Sequence, residues 1–551
     1  MDYLSLCLIC KDENDYLPEW LDYHILMGVD RFYIYDNESR ISLRESLKDY
    51  IERGWVVVID IVGKAMQLNA YDHCLQTFGP YTFWMGFIDT DEFLVTKTVL
   101  DLKELLKKYE AFGGLAVSSL FFGSNGHQTR PTAGQISAYT RRTHETFMEN
   151  DLIKSIVQPR QTSQPVSPHD FAFNPGNWCV NEKMLQVVGQ HFPNYIELIQ
   201  LNHYFCRSES EIDLKLQRGR GAMNAAWPRK RFNAVNSMSA YEDTQILQNL
   251  DLLIQKAERE SPGRLTANQN LTLTEKMAAL AGTRRPTPLE IDPPQVAMDF
   301  RDEFSAWREL RAQCTSATES GDYKQVCQIL LRMIQLQPQH AGLYTDLANN
   351  YLLVKNMNAA WQALGQAWQL APNNYLVLLS MSYYFMSIRD YLAAEKVCRL
   401  LLELAPHSLM ILGFLAEALI GQERFEEALS VGVPVVELSA KIGELPDRMG
   451  VILVKKMADY LLEKKDYAGA VHLWEAGVDC QPRDVNAMLE LTQALMLAGD
   501  KAGARHRLAQ ARILAKEEGL AAQNEVMISL QKKMEASTTL PAQQPRKRRH
   551  R

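Results

Sequence analysis

Residues 84–94 have the sequence WMGFIDTDEFL, an apolar run that ends in three acidic side chains, Asp89, Asp91 and Glu92. The apolar part is too short for a typical helix and follows a Gly-Pro pair, so it predicts a buried β-strand. Because side chains alternate along an extended chain, Asp89 and Asp91 fall on one face. Two carboxylates at this spacing can bind a hard divalent cation, which in turn can bridge to phosphate. A solvated acidic turn has the same local sequence, so the surrounding chain decides between the two interpretations.

The chain before this stretch alternates between strand-like and helix-like patterns. The strand-like segments are residues 4–10, 31–35 and 56–62, and the helix-like segments are residues 16–27, 43–53 and 68–78. Repeated β-α units predict an α/β domain with a mostly parallel sheet and helices on both faces. Ligands bind beyond the carboxyl ends of the strands in such sheets. Lys11, Glu13, Asp36 and the two aspartates are therefore expected to share one edge of the sheet and to face a nucleotide there.

Length, net charge and cysteine content limit the kinds of protein that this chain can be. With 551 residues the chain is too long for one hydrophobic core, so several domains are expected. The net charge of −7 argues against nucleic acid as the main partner. Nine scattered cysteines give no disulfide framework, and Cys7 and Cys10 lie inside a strand-like run, where core packing is expected.

The sequence also bears on location. The apolar residues 4–10 fall far short of the roughly 20 residues that a membrane span needs, and no basic segment precedes them. A cytoplasmic protein without a transmembrane segment is therefore expected. Residues 545–551, PRKRRHR, form a basic tail that is expected to be disordered, and they leave open a peripheral contact with anionic lipid at the inner membrane face.

From Trp307 onward the sequence repeats with a period of 34 residues. This step separates Pro338, Pro372 and Pro406, separates Tyr323, Met357, Tyr391 and Phe425, and also separates Tyr467 and Lys501. A period of this length with helical texture resembles the tetratricopeptide repeat. We count about six repeats ending near Ala515, with an eight-residue insertion near residues 441–447. The pattern predicts an all-α solenoid that binds a protein or peptide partner on its concave surface.

Motifs in order along about residues 1–230 resemble glycosyltransferase family 92 and related family-2-like enzymes. The motifs, in chain order, are CLICKDE at 7–13, YLPEWLDYH at 16–24, GVD at 28–30, FYIYDN at 32–37, Gln67 with AYDHCL at 70–75, DTDEF at 89–93, KSIV at 154–157, Pro159, His169, LNHY at 201–204 and Ser208. The resemblance implies a GT-A fold and transfer of a hexose from a nucleotide sugar, UDP-linked at the family level, with Mn²⁺ or Mg²⁺ as cofactor.

The resemblance also implies roles for individual residues. Asp91 would be the principal metal ligand, Asp89 would face the ribose or the metal, and His203 would complete the metal site. An imidazole ligand favours Mn²⁺ somewhat over Mg²⁺. The nucleotide-sugar pocket would be lined by Lys11, Glu13, Asp36, Gln67 and Asp89.

The residue that activates the acceptor is less defined by the resemblance. The family implies inversion at the anomeric carbon, which needs a general base to deprotonate the acceptor hydroxyl. Asp170, Glu145 and Glu182 are the candidates, and we favour Asp170. The basic residues Arg141, Arg142 and Lys154 are candidates for neutralising phosphate, although exposed basic side chains are usually only solvated.

These observations predict four segments. Residues 1–240 form the glycosyltransferase domain, residues 241–306 a helical segment and linker, residues 307–515 the repeat domain, and residues 516–551 a C-terminal helix and basic tail. The leading hypothesis is a metal-dependent glycosyltransferase acting on a glycan or protein acceptor that the repeats recruit. A non-catalytic scaffold that binds nucleotide sugar and a nucleotidyltransferase, which also uses paired acids, are the alternatives.

Overall fold

The computed structural model describes residues 1–218, 228–260, 271–286, 288, 302–442, 450–520 and 523–536. The chain divides into two compact units, Met1–Ser387 and Ile388–Arg551. The first unit contains an α/β domain and five further helices, and the described part of the second unit is helical. The basic tail at 545–551 lies outside the described residues.

The α/β domain is built from fourteen strands and ten helices in the described ranges. The strands are β1 (Asp2–Cys10), β2 (Arg31–Asp36), β3 (Val56–Asp60), β4 (Thr82–Phe87), β5 (Glu92–Thr96), β6 (Gly114–Phe121), β7 (Arg141–Arg142), β8 (Ile153–Val157), β9 (Thr162–Pro165), β10 (Phe171–Phe173), β11 (Cys179–Val180), β12 (Gln186–Val187), β13 (Ile199–His203) and β14 (Tyr241–Glu242). The helices are α1 (Leu17–Leu26), α2 (Leu43–Ser46), α3 (Lys48–Glu52), α4 (Gln67–Thr77), α5 (Leu102–Leu106), α6 (Gln135–Ala138), α7 (Glu209–Arg218), α8 (Arg229–Met238), α9 (Gln245–Glu260) and α10 (Leu273–Ala281).

Ten of the strands form one mixed sheet. Its main path runs β12-β11-β6-β8-β4-β1-β2-β3, and β13 pairs with both β5 and β6. Strands β4, β1, β2 and β3 are parallel, which confirms the fold expected from the β-α alternation. Strand β8 runs antiparallel to its neighbours β4 and β6, so the other half of the sheet is mixed. The GT-A fold itself stays an expectation from the resemblance.

Helix α1 holds strand β5 in place behind the acidic turn. The indole Nε1 of Trp20 donates to the Glu92 carbonyl at 2.8 Å, and the Tyr23 hydroxyl donates to the Leu94 carbonyl at 2.8 Å. Trp20 and Tyr23 are fully buried in the main core. Burial of such side chains contributes roughly 2–3 kcal/mol each. The hydrogen bonds fix the position of β5 relative to the helix, and with it the chain direction after Asp91.

Two local expectations were wrong in detail. The helix expected at 43–53 is two short helices, because the chain leaves helical geometry at Leu47. The expected linker contains helix α10, whose Met277 and Leu280 pack in the main core. Thr272 caps this helix, accepting from the Glu275 N–H at 3.3 Å while the Glu275 carboxylate accepts from the Thr272 N–H at 2.7 Å. The capping sequence TLTE was therefore the local signal for a helix.

Thirteen further helices follow in the described ranges. They are α11 (Asp302–Glu319), α12 (Tyr323–Leu336), α13 (Ala341–Leu353), α14 (Met357–Leu370), α15 (Tyr375–Ser387), α16 (Tyr391–Leu404), α17 (Leu409–Gly421), α18 (Phe425–Ile442), α19 (Gly450–Glu463), α20 (Tyr467–Cys480), α21 (Val485–Ala498), α22 (Lys501–Glu517) and α23 (Asn524–Ala536). Helices α12, α14, α16 and α18 begin 34 residues apart, as the repeat period predicts. The insertion expected at 441–447 lies almost entirely outside the described residues.

The same N-cap recurs at the start of these helices. Asp322, Asn356, Asp390, Asp466 and Asp500 each accept a hydrogen bond from the backbone N–H three residues later. A side-chain oxygen at this position satisfies a backbone donor that the helix leaves unpaired. The 34-residue step is therefore encoded by helix starts as well as by apolar spacing.

The first compact unit ends at Ser387, inside the segment predicted as the repeat domain, and the four predicted segments stay a prediction. Phe304 and Trp307 on α11 are fully buried in one apolar cluster with Leu68, Val166 and Ala172 of the α/β domain. Helices α11–α15 therefore belong to the first unit because they cover apolar residues of that domain. In the described part of the chain, the helices do not include one long and apolar enough to cross a membrane. The nine cysteines are free thiols, and Cys7 and Cys10 are buried as expected.

Candidate active site

The acidic stretch forms a tight turn between β4 and β5. The Glu92 N–H donates to the Asp89 carbonyl at 3.0 Å, and the Glu92 carboxylate accepts from the Asp89 N–H at 2.8 Å. The turn thus closes on itself with Asp89 at its start and Asp91 near its end. Burial raises the pKa of Glu92, and the nearby Lys154 ammonium opposes that effect.

Asp89 is oriented by two side chains from other elements. Lys154 Nζ, on β8, lies 3.0 Å from Asp89 Oδ2 and 3.2 Å from a Glu92 carboxylate oxygen. Gln67 Nε2, at the start of α4, donates to Asp89 Oδ1 at 3.1 Å. Burial would lower the pKa of Lys154, but Asp89 and Glu92 raise it well above its usual range. The predicted pocket residue Gln67 therefore positions Asp89.

Asp91 lies beside an imidazole and an ammonium. Its Oδ2 is 2.7 Å from Lys215 Nζ on α7 and 3.7 Å from His203 Nε2 on β13. His203 Nδ1 lies 3.7 Å from a Glu92 carboxylate oxygen. Burial would raise the pKa of Asp91, but Lys215 and then His203 bring it well below its usual range.

The pairing of β13 with β5 explains how His203 reaches this turn. The two strands are antiparallel, with His203 opposite Glu92. The Tyr204 N–H also donates to the Asp91 carbonyl at 2.8 Å. We refer to Asp89, Asp91, Glu92, Lys154, His203 and Lys215 as the acidic-turn cluster. Within it, Lys154 pairs with Asp89 and Glu92, and Lys215 pairs with Asp91, so each of the three acids has an ammonium partner.

The chemistry of this cluster fits a divalent ion. In the described ranges, groups of three or more His, Cys, Asp and Glu side chains placed to hold a metal are absent. Asp91 Oδ2 and His203 Nε2, however, are separated by 3.7 Å. Two ligands on one ion of this size lie about 3 Å apart, and such ions commonly keep water or phosphate as their other ligands. The residues thus suit an ion held by two protein side chains.

The other predicted pocket residues have defined partners. Glu13 Oε2 lies 2.7 Å from Arg207 Nη1, and Arg207 Nε donates to Gln135 Oε1 at 2.9 Å. Asp36 accepts from the backbone N–H groups of Ser39 and Leu43, both at 3.0 Å, and is 5% exposed. Asp36 therefore caps its own loop. Lys11 follows β1 and is half-buried.

Arg207 is a residue that the sequence reasoning missed. Its guanidinium stacks on the Tyr16 ring at 3.9 Å from the centroid, and Arg130 lies 4.0 Å from that centroid. Burial would lower the pKa of Arg207, but Glu13 and Asp91 outweigh it and raise that pKa above its usual range. Its position four residues after His203 was the available signal.

The structure places the candidate bases in different surroundings. Asp170 Oδ2 lies 2.8 Å from Nε2 of His340, the N-cap residue of α13, and Asp170 Oδ1 accepts from the Phe171 N–H at 2.8 Å. Glu182 accepts from the backbone N–H groups of residues 197, 198 and 199 at 2.8, 2.8 and 3.1 Å. Glu145 pairs with Arg142 at 3.2 Å. The role of Asp170 as base stays a prediction.

The three basic residues that were candidates for neutralising phosphate lie in different places. Arg142 pairs with Asp243 at 2.7 Å and Arg141 lies 3.9 Å from Glu242, so both residues join β7 to the segment around β14. Lys154 alone of the three contacts the acidic turn in the described structure. His169 Nδ1 meets the Ile153 carbonyl at 2.8 Å, and burial, then Lys154, holds the His169 pKa well below its usual range.

The comparisons with known proteins agree with the motifs. Residues 3–197 match the family model described as glycosyltransferase family 92, which confirms the resemblance. A family 92 glycosyltransferase from Ricinus communis is 28% identical over 197 residues, and one from Oryza sativa subsp. japonica is 29% identical over 207 residues. These matches cover 34% and 36% of this chain and 35% and 33% of the relatives. The chain thus spans about a third of the length of the curated relatives it matches.

Solved structures also match part of the chain at low identity. The structure titled as the functional characterization of Pseudomonas aeruginosa pilF is 14% identical, covers 42% of this chain and 100% of its own, and has a TM-score of 0.31. YrrB, titled a TPR protein with an unusual peptide-binding site, is 14% identical, covers 37% of this chain and 97% of its own, and has a TM-score of 0.28. TM-scores this low do not establish structural similarity over the whole match. The repeat is defined by the 34-residue spacing of this chain's own helices.

Proposed function

We propose that the α/β domain transfers a hexose from a nucleotide sugar, UDP-linked, to a glycan or protein acceptor with Mn²⁺ or Mg²⁺. The observation that carries the proposal is the juxtaposition of Asp91 and His203, 3.7 Å apart at the end of two paired strands. The match of residues 3–197 to glycosyltransferase family 92 supports the transferase class. Asp91 and His203 would hold the ion.

The surrounding residues prepare this site. Lys154 and Gln67 fix the Asp89 carboxylate from two sides, so Asp89 keeps one orientation. The low pKa of Asp91 keeps that carboxylate ionised at neutral pH. A divalent ion, when bound, supplies a positive charge that stabilises a departing diphosphate. Lys215 and Arg207 add positive charge near Asp91, and both lower its pKa.

The helical repeat and the location of the protein are further parts of the proposal. Stacked helix pairs offer extended surfaces that commonly bind proteins or peptides. We propose that the repeat recruits the acceptor or a partner protein. A cytoplasmic protein, with peripheral contact at the inner membrane face as a variant, is consistent with the described helices.

The test is release of UDP from a panel of UDP-hexoses by the full chain with Mn²⁺, with and without glycan acceptors. The wild type is expected to release UDP, and Asp91→Asn is expected to lose at least about a hundredfold of that rate, because its ion ligand is weakened. Asp60→Asn is the control, since Asp60 is exposed and pairs with Arg44. Equal rates in wild type and Asp91→Asn would contradict the proposal, and pyrophosphate release from a nucleoside triphosphate would favour a nucleotidyltransferase.

A further inference from the structure

The ammonium of Lys215 lies at the oxygen of Asp91 that faces His203. Lys215 Nζ is 2.7 Å from Asp91 Oδ2 and donates to the Phe205 carbonyl at 3.1 Å. The same Asp91 Oδ2 is the atom 3.7 Å from His203 Nε2. The lysine side chain is 15% exposed and the Asp91 side chain 11% exposed. A positive charge therefore already lies where Asp91 would present its oxygen to an ion.

A divalent ion and the Lys215 ammonium cannot both contact Asp91 Oδ2 without strong electrostatic repulsion. A divalent ion on Asp91 Oδ2 would lie within a few ångströms of Lys215 Nζ, and like charges at that distance repel strongly where water is scarce. Phe205 adds to the exclusion of water, since Lys215 Nζ lies 4.7 Å from the centroid of its ring. The ammonium and the ion therefore compete for the same carboxylate oxygen.

The Lys215 side chain can move away from Asp91 while the start of its helix stays in place. It lies in helix α7, which carries Glu209 and Glu211 in its first turn. Glu211 accepts from Ser208 and from the Tyr16 hydroxyl, and Glu209 pairs with Arg229 at 3.1 Å. These contacts anchor the start of the helix, whereas Lys215 lies within the last turn, three residues before its end at Arg218. A change of side-chain rotamer at Lys215 can free Asp91 without unfolding this start.

We propose that Lys215 is the counter-cation of Asp91 in the ion-free protein, and that a divalent ion displaces its ammonium from Asp91 Oδ2 when it binds. Lys215 is then a positioning residue that keeps Asp91 paired until the ion arrives. The displaced ammonium is available to a phosphate group on that ion. The inference rests on the divalent ion of the proposed function and is independent of sugar transfer.

The first test is the affinity of the full chain for Mn²⁺ alone, measured by the loss of the free-ion signal in electron paramagnetic resonance. Lys215→Met is expected to bind Mn²⁺ about tenfold more tightly than the wild type, because a competing charge is removed. Lys183→Met removes the same charge from an exposed pair with Glu197 and is expected to leave the affinity unchanged. Unchanged or weaker binding by Lys215→Met would overturn the proposal.

The second test uses the wild type and so does not depend on the folding of a variant. Lysine acylation followed by mass spectrometry measures the reactivity of individual ammonium groups. Mn²⁺ is expected to increase the acylation rate of Lys215 at least about threefold while Lys183 keeps its rate, because only Lys215 loses a carboxylate partner. An unchanged or slower rate at Lys215, in protein whose Mn²⁺ binding is lost in Asp91→Asn, would refute displacement.

The two proposals fail in different ways. Tighter Mn²⁺ binding by Lys215→Met without turnover of any UDP-hexose would support the displacement and contradict the transferase. Turnover of a UDP-hexose with no change in Mn²⁺ affinity in Lys215→Met would support the transferase and contradict the displacement.

Discussion

The Lys154 ammonium on β8 lies 3.0 Å from Asp89 Oδ2, and this buried lysine also contacts Glu92 at 3.2 Å. One side chain therefore neutralises two acids of the turn that follows β4. The Lys154 and Glu92 side chains are each only 1% exposed. The acidic turn is thus built around a buried cation, which makes its stability sensitive to that residue.

Replacing Lys154 with methionine should destabilise the first unit. Removal of one partner of a buried ion pair leaves an uncompensated charge, which costs about 3–5 kcal/mol. Urea titrations of wild type and Lys154→Met measure the difference in the free energy of unfolding. Lys183→Met is the matched control, because its pair with Glu197 is exposed, and it should show no measurable change. A loss in Lys154→Met as small as in the control would show that the turn does not depend on this cation.

His24 should make the first unit less stable in acid. It is fully buried, its Nδ1 contacts the Trp20 carbonyl at 2.8 Å, and burial lowers its pKa from 6.5 to about 3. A lowered folded-state pKa gives stability that is present above pH 6.5 and is lost as the pH falls towards 3. The loss approaches about 1.4 kcal/mol per pH unit in that window. Unfolding free energies from pH 7 to pH 4 should show a shallower slope in His24→Gln, with the exposed His407→Gln as control. Equal slopes would contradict neutral burial of His24.

His340 should show the opposite dependence on pH. Burial alone would lower its pKa, but the Asp170 carboxylate 2.8 Å away, with Asp346 nearby, raises it. A raised folded-state pKa gives stability that is fully present below 6.5 and is lost as the pH rises through the folded-state value. We therefore expect His340→Gln to cost more stability at pH 6 than at pH 8.5, measured by urea titration at both pH values. A larger cost at pH 8.5 would contradict an ion pair between the N-cap residue of helix α13 and the loop before β10.

Trp307 should join helix α11 to the α/β domain. It is fully buried in a cluster with Leu68 and Val166. Truncation of a buried tryptophan costs about 3–5 kcal/mol through lost contacts and the remaining cavity. Thermal unfolding of Trp307→Ala should therefore begin well below that of the wild type, whereas Trp361→Ala, at a site 45% exposed, should change little. Equal effects at both positions would argue that helix α11 does not belong to the first unit.

Much of the fold could be predicted from the sequence, because buried strands and helices leave local patterns of apolar residues. Apolar runs predicted β1, β2 and β4 to within one or two residues, and the 34-residue period predicted where α12, α14 and α16 begin. Helix α10 is not evident from composition, because Pro and Thr residues surround it, and its local signal is the capping box of Thr272 and Glu275.

The candidate site was predicted less completely because its contacts are distant in sequence. Lys154 and Asp89 are 65 residues apart, Arg207 and Glu13 are 194 apart, and His340 and Asp170 are 170 apart. No local pattern encodes such pairs, which depend on how strands β8 and β13 and helix α13 pack. Polar residue type showed that these side chains matter, and only the tertiary structure shows that Glu13 and Asp36 already have protein partners.

We propose above all that Asp91 and His203 bind a divalent ion that in turn binds a nucleotide diphosphate. Calorimetric titration of UDP into the full chain, with and without Mn²⁺, tests it most directly. We expect Mn²⁺ to tighten UDP binding at least about tenfold in the wild type, and this dependence to vanish in His203→Ala, because the ion would lose one of its two protein ligands. Binding of UDP with the same affinity in the presence and absence of Mn²⁺ would contradict the claim.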